Sequence, residues 1–444
     1  MLALAGQRVL VLGLGISGRS AARFCAQRGA RVLAADERPA AAIGGLEDLP
    51  PEVECQLGVA FPDPAAFDLV VPSPGVPRER WVKRARRAWG DIELSYRALD
   101  VPIIAITGTN GKSTTTLLVE ALLRAAGLRA RAAGNLGTPA LELVGEALDL
   151  AVLEVSSFQL EAVEAFRPRV AVVLNVTPDH LDRHGSFEGY LAAKARLLEQ
   201  QRSEDTAVLN FDDPAVRGLA EHTRARVLPF RTLGPLEHGA FYEDGCVVLA
   251  GPAGARERFS LSALQLPGVH NRENAVAALA AAVAAGAQAR RAITAFSRFE
   301  GLPHRMQTVA RTGGVEWVND SKATNPGAAL RSLHSYDTPL IWIAGGRDKG
   351  LDFQELAEAA QGRVRAVVLI GEAAGKLETA LAGRVPVHDA GTLERAVPLA
   401  ARLAQPGDVV LLAPACASFD QFRDFEERGE CFRAAVAALV KETR

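Results

Sequence analysis

Gly108-Thr109-Asn110-Gly111-Lys112-Ser113-Thr114 follows an apolar run, Ile103–Ile106, and precedes a helical pattern. In a strand–loop–helix arrangement of this kind, successive backbone N–H groups and the positive end of the helix dipole bind phosphate oxygens. Lys112 can neutralise the β- and γ-phosphates, and a hydroxyl at Ser113 or Thr114 can bind Mg²⁺. The match to the usual phosphate-loop pattern is imperfect, because Ile106 stands at the first glycine position and the glycine comes two places later. The stretch predicts an ATP site.

Short apolar runs alternate with helical patterns along most of the chain, as expected for parallel strands that are covered on both faces. The predicted strands are Arg8–Leu12, Ala30–Ala35, Phe67–Val71, Ile103–Ile106, Ala151–Val155, Val170–Leu174, Leu340–Ala344, Ala366–Ile370 and Val409–Leu412. We therefore predict an α/β protein of three domains. A Rossmann-like domain would cover 1–96. A central P-loop ATPase-like domain, with a parallel sheet and a small β insertion near 225–265, would cover 97–302. A second Rossmann-like domain would cover 303–444.

The composition excludes several classes of protein. The 444 residues carry a formal net charge of -2, which gives no global field for nucleic acid or a membrane surface. The five cysteines form no CxxC or Cys/His cluster, so neither a zinc site nor a disulfide framework is predicted, and a reduced cytoplasmic location fits. The longest apolar stretch, 275–289, is mostly Ala and Val and predicts a buried helix rather than a membrane span.

Polar residues follow two predicted strands next to the phosphate loop. Glu154 ends the apolar run from Asp149, where a Mg²⁺-binding carboxylate would stand. The following strand leads into Asn175-Val176-Thr177-Pro178-Asp179-His180, at the carboxyl edge where ligands bind in open α/β sheets. Alone, a glutamate at the end of a strand is more often a surface residue. Together these residues predict a metal or substrate site.

The first predicted domain carries Gly13-Leu14-Gly15-Ile16-Ser17-Gly18 directly after a strand, with Asp36 at the end of the next strand. Glycines for the turn, a helix N-terminus for a diphosphate and an acid for a ribose hydroxyl form the dinucleotide fingerprint. Ser73-Pro74-Gly75 follows another strand and either lines the same crevice or is an ordinary turn. The pattern predicts a second nucleotide-diphosphate site without identifying the nucleotide.

Three loops of the third predicted domain follow strands and should lie at one edge of one sheet. They contain Asn319–Asn325, Gly345–Lys349 and Ala415–Asp420. Each alone would more often be a solvated loop, but together they are expected to converge.

These motifs resemble those of the Mur ligase family, and the resemblance covers essentially the whole chain. The Gly-Thr-Asn-Gly-Lys-Ser-Thr loop and the run Asn-Val-Thr-Pro-Asp-His-Leu-Asp at 175–182 are typical of Mur and folylpolyglutamate ligases. The motifs Asn-Asp-Ser-Lys-Ala-Thr-Asn (319–325) and Pro-Ala-Cys-Ala-Ser-Phe-Asp-Gln-Phe (414–422) are similar to those of the D-glutamate-adding members.

The resemblance implies an ATP-dependent ligase that joins D-glutamate to UDP-N-acetylmuramoyl-L-alanine through an acyl phosphate, in peptidoglycan precursor synthesis. It implies ATP and two Mg²⁺ ions, small-molecule substrates, no nucleic-acid or membrane partner, and a cytoplasmic monomer. The three domains imply three groups of ligand-binding residues, which are matched to this sequence position by position.

By this matching, the catalytic side chains are Lys112, His180 and Lys194. The metal ligands are Ser113, Glu154, His180 and Lys194, the last as a carbamate, since an ordinary lysine is a cation and could not bind Mg²⁺. Besides the loop 108–114, ATP would contact His270, Asn271, Asn274, Arg305 and Asp320. The UDP-sugar would contact Ile16, Ser17, Asp36, Arg38, Ser73, Pro74, Gly75 and Asn135. D-Glutamate would contact Lys322, Thr324, Lys349, Ser418, Phe419 and Phe425.

Three alternatives compete with this interpretation. A nicotinamide dehydrogenase would use Gly13–Gly18 but leaves the Lys112 loop unexplained. A non-catalytic ATP switch would use the loop without turnover. Folylpolyglutamate synthetase is the nearest ligase, although its phosphate loop usually has an extra glycine before the serine, which is absent between Lys112 and Ser113.

Overall fold

The computed structural model describes residues 3–251, 254–264, 266, 268–299, 301, 303–348, 350 and 352–442. Its strands are β1 (Arg8–Leu12), β2 (Arg31–Asp36), β3 (Glu54–Leu57), β4 (Leu69–Pro72), β5 (Ile103–Thr107), β6 (Ala130–Gly134), β7 (Leu150–Glu154), β8 (Val170–Val173), β9 (Thr206–Asn210), β10 (Arg226–Arg231), β11 (Gly239–Glu243), β12 (Cys246–Ala250), β13 (Arg256–Ser260), β14 (Gln307–Thr312), β15 (Val315–Asn319), β16 (Leu340–Gly345), β17 (Val364–Ile370), β18 (Val387–Gly391) and β19 (Val409–Leu412). Its helices are α1 (Ile16–Gln27), α2 (Asp91–Ala98), α3 (Lys112–Ala125), α4 (Ser157–Leu160), α5 (Leu181–His184), α6 (Phe187–Ala195), α7 (Pro214–Gly218), α8 (Val269–Ala284), α9 (Ala289–Ala292), α10 (Pro326–Leu333), α11 (Gln354–Ala360), α12 (Ala374–Leu381), α13 (Leu393–Leu403) and α14 (Phe425–Glu442). All nine predicted strands are confirmed, with ends that shift by two residues at most.

The first sheet is parallel and has the order β3-β2-β1-β4. The chain builds outward from β1 through β2 to β3 and then returns to the other side of β1 with β4. The loops after β1 and β4 therefore flank a point where the strand order reverses. Ligands bind at such points in open α/β sheets because the two loops diverge and leave a crevice.

The central sheet has nine strands in the order β13-β12-β11-β10-β9-β8-β5-β7-β6. Strand β5 lies between β7 and β8, with Ile106 opposite Glu154 and Thr107 opposite Val173. This register places the ends of three buried strands side by side. The predicted β insertion near 225–265 exists as strands, but it is not a separate element. Strands β10 to β13 extend the edge of the central sheet, in which β10 pairs parallel to β9 and β11, and β12 pairs antiparallel to β11 and β13.

Helix α8 packs against the central sheet and is buried from Ala275 to Ala282. A helix that is apolar on every side belongs in a core. The predicted buried helix at 275–289 is thus confirmed as far as Ala284, where α8 ends, and the short α9 begins only at Ala289. Within the described part of the chain, no helix is both long and apolar enough to span a membrane.

The third sheet has the order β14-β15-β19-β16-β17-β18, in which only the edge strand β14 runs antiparallel to its neighbour. Strands β15, β19 and β16 are adjacent, so the loops that follow them leave the sheet at one edge. The fold is thus three-domain α/β, with one mostly parallel sheet in each domain. By compactness the chain divides into two units, Met1–Leu264 with Arg272–Phe299, and Gln265–Asn271 with Glu300–Arg444. The domain limits proposed from sequence stay a prediction.

Candidate active site

The phosphate loop joins β5 to α3 and is shaped around glycine. Gly111 has φ +82, and a Cβ there would lie 2.4 Å from Oδ1 of Asn274. A side chain is therefore excluded by both conformation and space. No side chain caps the N-terminus of α3, which begins at Lys112. The backbone N–H groups of that turn are the donors that phosphate oxygens use at helix N-termini.

Asn175, directly after β8, holds the loop from the side. Its Oδ1 accepts a hydrogen bond from the Asn110 N–H at 2.8 Å, and its Nδ2 donates to the Asn110 carbonyl at 3.3 Å. Its backbone carbonyl accepts from the Thr109 N–H at 2.8 Å. Nδ2 also donates to Oε1 of Glu273 on α8 at 3.3 Å. Asn175 was expected near the site from its sequence position, without a role, whereas Glu273 was not expected there, because no local pattern marks it.

Two lysines converge on the carbonyl of Gly108. Lys112 Nζ donates to the Gly108 and Thr109 carbonyls, each at 2.9 Å. Lys194 Nζ, on α6, donates to the Gly108 carbonyl at 2.9 Å and contacts Thr107 Oγ1 at 3.4 Å. Lys194 is only 1% exposed. Burial, followed by the charge of Lys112, lowers the pKa of Lys194 well below its usual value. The structure thus places both predicted catalytic lysines at the phosphate loop.

Glu154 lies at the end of β7, beside the loop. Its Oε1 accepts from Asn135 Nδ2 at 2.8 Å. Its Oε2 is buried and has no hydrogen-bond partner among the described residues. Such an atom normally has a partner, because an unsatisfied buried acceptor is costly. An unsatisfied carboxylate oxygen is a suitable ligand for a hard cation such as Mg²⁺.

His180 is exposed and lies at φ 51, a strained conformation for a residue other than glycine. Its ring lies 4.8 Å from that of Phe158 and its Nε2 is 3.7 Å from Oδ2 of Asp179. No group of three or more His, Cys, Asp or Glu side chains within the described ranges could alone hold a metal ion. The predicted ligand set, which contains only two such residues, stays a prediction.

The glycine loop after β1 packs closely against the loop after β4. A Cβ on Gly18 would lie 1.8 Å from the Gly13 carbonyl oxygen, so only glycine fits. Ser73 Oγ donates to that same carbonyl at 2.6 Å. Ile16 and Ser17 form the first turn of α1, whose N-terminus has no side-chain cap. These contacts bring Ser73 to the turn that carries Ile16 and Ser17, three of the eight residues predicted for the UDP-sugar, whereas Asn135 lies at Glu154.

The Asp36 carboxylate accepts hydrogen bonds from other residues of the first sheet's loops. Its carboxylate accepts from the Leu14 N–H at 2.7 Å and from Arg38 through its N–H, Nε and Nη2. The hydrogen bonds from Arg38 lower the pKa of Asp36 to about 2. The carboxylate thus orients Arg38 and the glycine loop. The contact with a ribose hydroxyl suggested by the fingerprint stays a prediction.

A small pocket opens between the β4 loop and the central sheet. Ser73 and Pro74 line one wall, and Phe158, Gln159 and Arg183 line the other. Asp91, also at this pocket, accepts from Gln159 Nε2 at 2.8 Å through Oδ2 and leaves Oδ1 without a partner among the described residues. The pocket adjoins the predicted sugar-nucleotide residues, whereas Gly75 is exposed and has open space around it.

In the third sheet, Lys322 Nζ lies 3.6 Å from the centre of the Phe425 ring, which brings these two predicted amino-acid-binding residues together. Ser418 is buried, Thr324 is half-buried and Phe419 is 59% exposed. Lys349 lies outside the described residues.

Four residues predicted for ATP lie in the second compact unit. Asp320 is buried and accepts from the Met306 N–H at 3.2 Å and from Ser332 Oγ; burial raises its pKa. Burial lowers the pKa of His270 to about 4, and Asn271 is buried beside it. Arg305 is half-buried. Asn274 lies instead in the first unit, where its Oδ1 accepts from Thr115 Oγ1 at 3.2 Å.

Comparison with known proteins finds matches along most of the chain. Family models match residues 7–89 (Mur ligase MurD-like, N-terminal domain), 106–282 (Mur ligase middle domain) and 304–416 (Mur ligase, glutamate ligase domain). UDP-N-acetylmuramoylalanine--D-glutamate ligase of Geotalea uraniireducens is 45% identical over 98% of each chain, and that of Geobacter metallireducens is 46% identical over 98% of each. The solved pseudomurein peptide ligase type C from Methanothermus fervidus has a TM-score of 0.61 at 18% identity, covering 98% of this chain and 100% of its own, which supports the fold alone.

Proposed function

The chain belongs to the Mur ligase family, and from that premise we propose that it is an ATP-dependent ligase that joins D-glutamate to UDP-N-acetylmuramoyl-L-alanine in peptidoglycan precursor synthesis. The observation that carries the proposal is the sequence identity of 45% and 46%, over 98% of each chain, to two ligases whose names state this reaction. The geometry supports it, because loops suited to a phosphate chain, a diphosphate and an amino acid lie at the edges of the three sheets.

The reaction proceeds in two steps that need no redox partner. A carboxylate oxygen of the alanine attacks the γ-phosphorus of ATP, and ADP leaves with the electron pair of the broken P–O bond. The D-glutamate amine then attacks the carbonyl carbon of the acyl phosphate, loses a proton and expels phosphate. Two anions must approach in the first step, so a fixed cation such as Lys112 lowers the barrier.

Different residues at the phosphate loop bind the phosphates, position the loop and hold the metal ion. The α3 N-terminus and the 108–114 backbone bind the phosphates, while Asn175 keeps the loop in position. Glu154 would hold Mg²⁺ through its unpartnered Oε2, together with Ser113 and His180. When bound, Mg²⁺ supplies positive charge that screens the phosphates from the incoming carboxylate.

Lys194 is proposed to be a carbamate and thereby a ligand of a second Mg²⁺. Its burial favours the neutral amine, which is the form that reacts with CO₂. The amine nitrogen forms the new C–N bond to the CO₂ carbon and releases one proton, which converts the neutral amine into an anionic carbamate. Electron density beyond Nζ in a high-resolution map tests this, and a bare amine in crystals grown with bicarbonate would contradict it.

The deciding experiment measures phosphate release with ATP and UDP-N-acetylmuramoyl-L-alanine across several amino acids. We expect turnover with D-glutamate and not with L-glutamate, L-lysine or D-alanyl-D-alanine. Activity with one of the last three in place of D-glutamate would refute the proposed function. Light scattering tests the monomer, which rests on family resemblance, and fractionation tests the cytoplasmic location, which rests on that resemblance and on five free cysteines.

A further inference from the structure

Arg428, on the second turn of α14, is completely buried, and its guanidinium group uses all its N–H donors within the protein. Nε donates to Ser321 Oγ at 3.0 Å, and Nη2 donates to the Ser321 carbonyl at 3.0 Å and the Cys416 carbonyl at 3.2 Å. Nη1 donates to the carbonyls of Cys416 at 3.2 Å and Ala417 at 3.4 Å. One side chain thus binds three backbone carbonyls and one hydroxyl on two loops.

These two loops follow the neighbouring strands β15 and β19, and they carry four of the six residues predicted for the amino-acid substrate, Lys322, Thr324, Ser418 and Phe419. Ser321 precedes Lys322, and Ala417 precedes Ser418. The network continues, because Ser321 Oγ donates to the Phe425 carbonyl at 2.8 Å and the Arg347 N–H donates to the Ala417 carbonyl at 2.9 Å. Arg428 therefore lies directly beneath the predicted amino-acid site.

Stability alone does not explain this arrangement. Among the described residues, the acceptors of Arg428 are carbonyl oxygens and one hydroxyl, and none is a carboxylate. Burial lowers its pKa to about 10, so the group is still a cation at neutral pH. Burying a charge that no carboxylate bonds directly is expensive, even though the Asp420 carboxylate favours the charged form from farther away, and apolar packing would stabilise a core at lower cost. A rigid planar fork, however, fixes the spacing of the carbonyls it binds, which a flexible lysine cannot do.

We propose that Arg428 is a positioning residue that fixes the distance between the Lys322 loop and the Ser418 loop, and thereby sets the affinity for the amino-acid substrate. The proposal rests on the proposed function for the identity of that substrate. It concerns the D-glutamate step and leaves the binding of ATP and of the UDP-sugar unaffected.

Three variants test it. Arg428→Lys keeps the positive charge but removes the planar guanidinium group. Ser321→Ala removes the hydroxyl that accepts a hydrogen bond from Arg428 Nε. Arg433→Gln is the matched control, because Arg433 lies on the same helix, is exposed and pairs only with Glu430 among the described residues. For each, KM is measured separately for D-glutamate, ATP and the UDP-sugar, along with kcat and the unfolding temperature.

We expect Arg428→Lys to raise KM for D-glutamate roughly 10-fold or more, since hydrogen bonds to a charged group are lost. Ser321→Ala should raise it by a smaller factor, and the other two KM values should stay within about twofold in both variants. The control should match the wild type throughout.

A general rise of all three KM values, or a fall in kcat with the D-glutamate KM unchanged, would overturn the proposal and leave Arg428 a purely structural residue. If Arg428→Lys does not fold, Ser321→Ala decides the question by the same criterion. If the wild type uses another amino acid, the proposed function fails, but the KM for that amino acid still tests the role of Arg428.

Discussion

Replacing Gly111 with alanine should weaken ATP use far more than an equivalent glycine replacement elsewhere on the same helix. The new Cβ would lie 2.4 Å from Oδ1 of Asn274, whereas ordinary contact begins at 3.4 Å. The two atoms must therefore separate by about 1 Å. Misplacement on that scale can cost roughly 100-fold in rate. The left-handed backbone adds about 1–2 kcal/mol of strain.

Gly127 supplies the matched control at the other end of α3. It has φ +92, similar to Gly111, but nothing lies within 4 Å of its Cβ position. Gly127→Ala should therefore lose about 1–2 kcal/mol of stability without a change in ATP use. Gly111→Ala should lose about 1 kcal/mol more, because the Thr115–Asn274 hydrogen bond is disrupted.

The assay is phosphate release at saturating UDP-sugar and D-glutamate with ATP varied, together with thermal unfolding of the same samples. We expect kcat/KM for ATP to fall roughly 10- to 100-fold in Gly111→Ala and to stay unchanged in Gly127→Ala. In the double variant Gly111→Ala/Asn274→Ala the contact with Asn274 is absent, so its stability should differ from that of Asn274→Ala by the backbone strain alone, about 1–2 kcal/mol. Equal kcat/KM values for the two single variants would refute the reasoning.

Three further outcomes are expected. Lys112→Ala should lower turnover, measured by phosphate release, at least ~100-fold. Turnover should be unchanged in the control Lys83→Ala, since Lys83 is exposed. A smaller effect of Lys112→Ala would mean that the phosphates bind elsewhere. Burial raises the pKa of Glu273 to about 7 from 4.5. As pH rises, the unfolded chain therefore loses this proton first, and the free energy of unfolding should fall between about pH 4.5 and 7. Thermal scans of Glu273→Gln should not show this fall. Its persistence in the variant would contradict the burial argument. Gly18→Ala should raise KM for the UDP-sugar and lower the unfolding temperature, because its Cβ would meet the Gly13 carbonyl. Gly44→Ala, with open space at its Cβ position, should do neither. Equal KM values and unfolding temperatures for the two variants would exclude the close packing of Gly18 against Gly13.

The phosphate loop and the sheets were predictable because their signals are local. Strands buried on both faces are continuous apolar runs, and the loop is one short motif between a strand and a helix. The convergence of Glu154 and Asn175 on that loop also followed, since adjacent parallel strands end at the same edge. By contrast, no such rule showed that β10 to β13 extend the central sheet, because pairing at a sheet edge depends on which strand is left exposed.

Contacts that act across long stretches of sequence were not predictable. Asn175 and Glu273 are 98 positions apart, and Arg428 and Ser321 are 107 apart. In sequence, Arg428 is one of several charged residues at the start of an amphipathic helix, where an arginine is normally solvated. Only the packing of α14 against β14 and β15 reveals that this arginine faces inward.

The alanine-rich interior of α8 has a consequence for the two side chains at its start. Alanine has no side-chain rotamers, so burying the residues between Ala275 and Ala282 loses little conformational entropy, with Leu279 and Val276 the exceptions. Such a helix also cannot absorb a displacement by changing rotamers. A shift of the Glu273 or Asn274 backbone therefore requires movement of the whole helix against the sheet. The positions of these two residues beside the phosphate loop are thus fixed at low entropic cost.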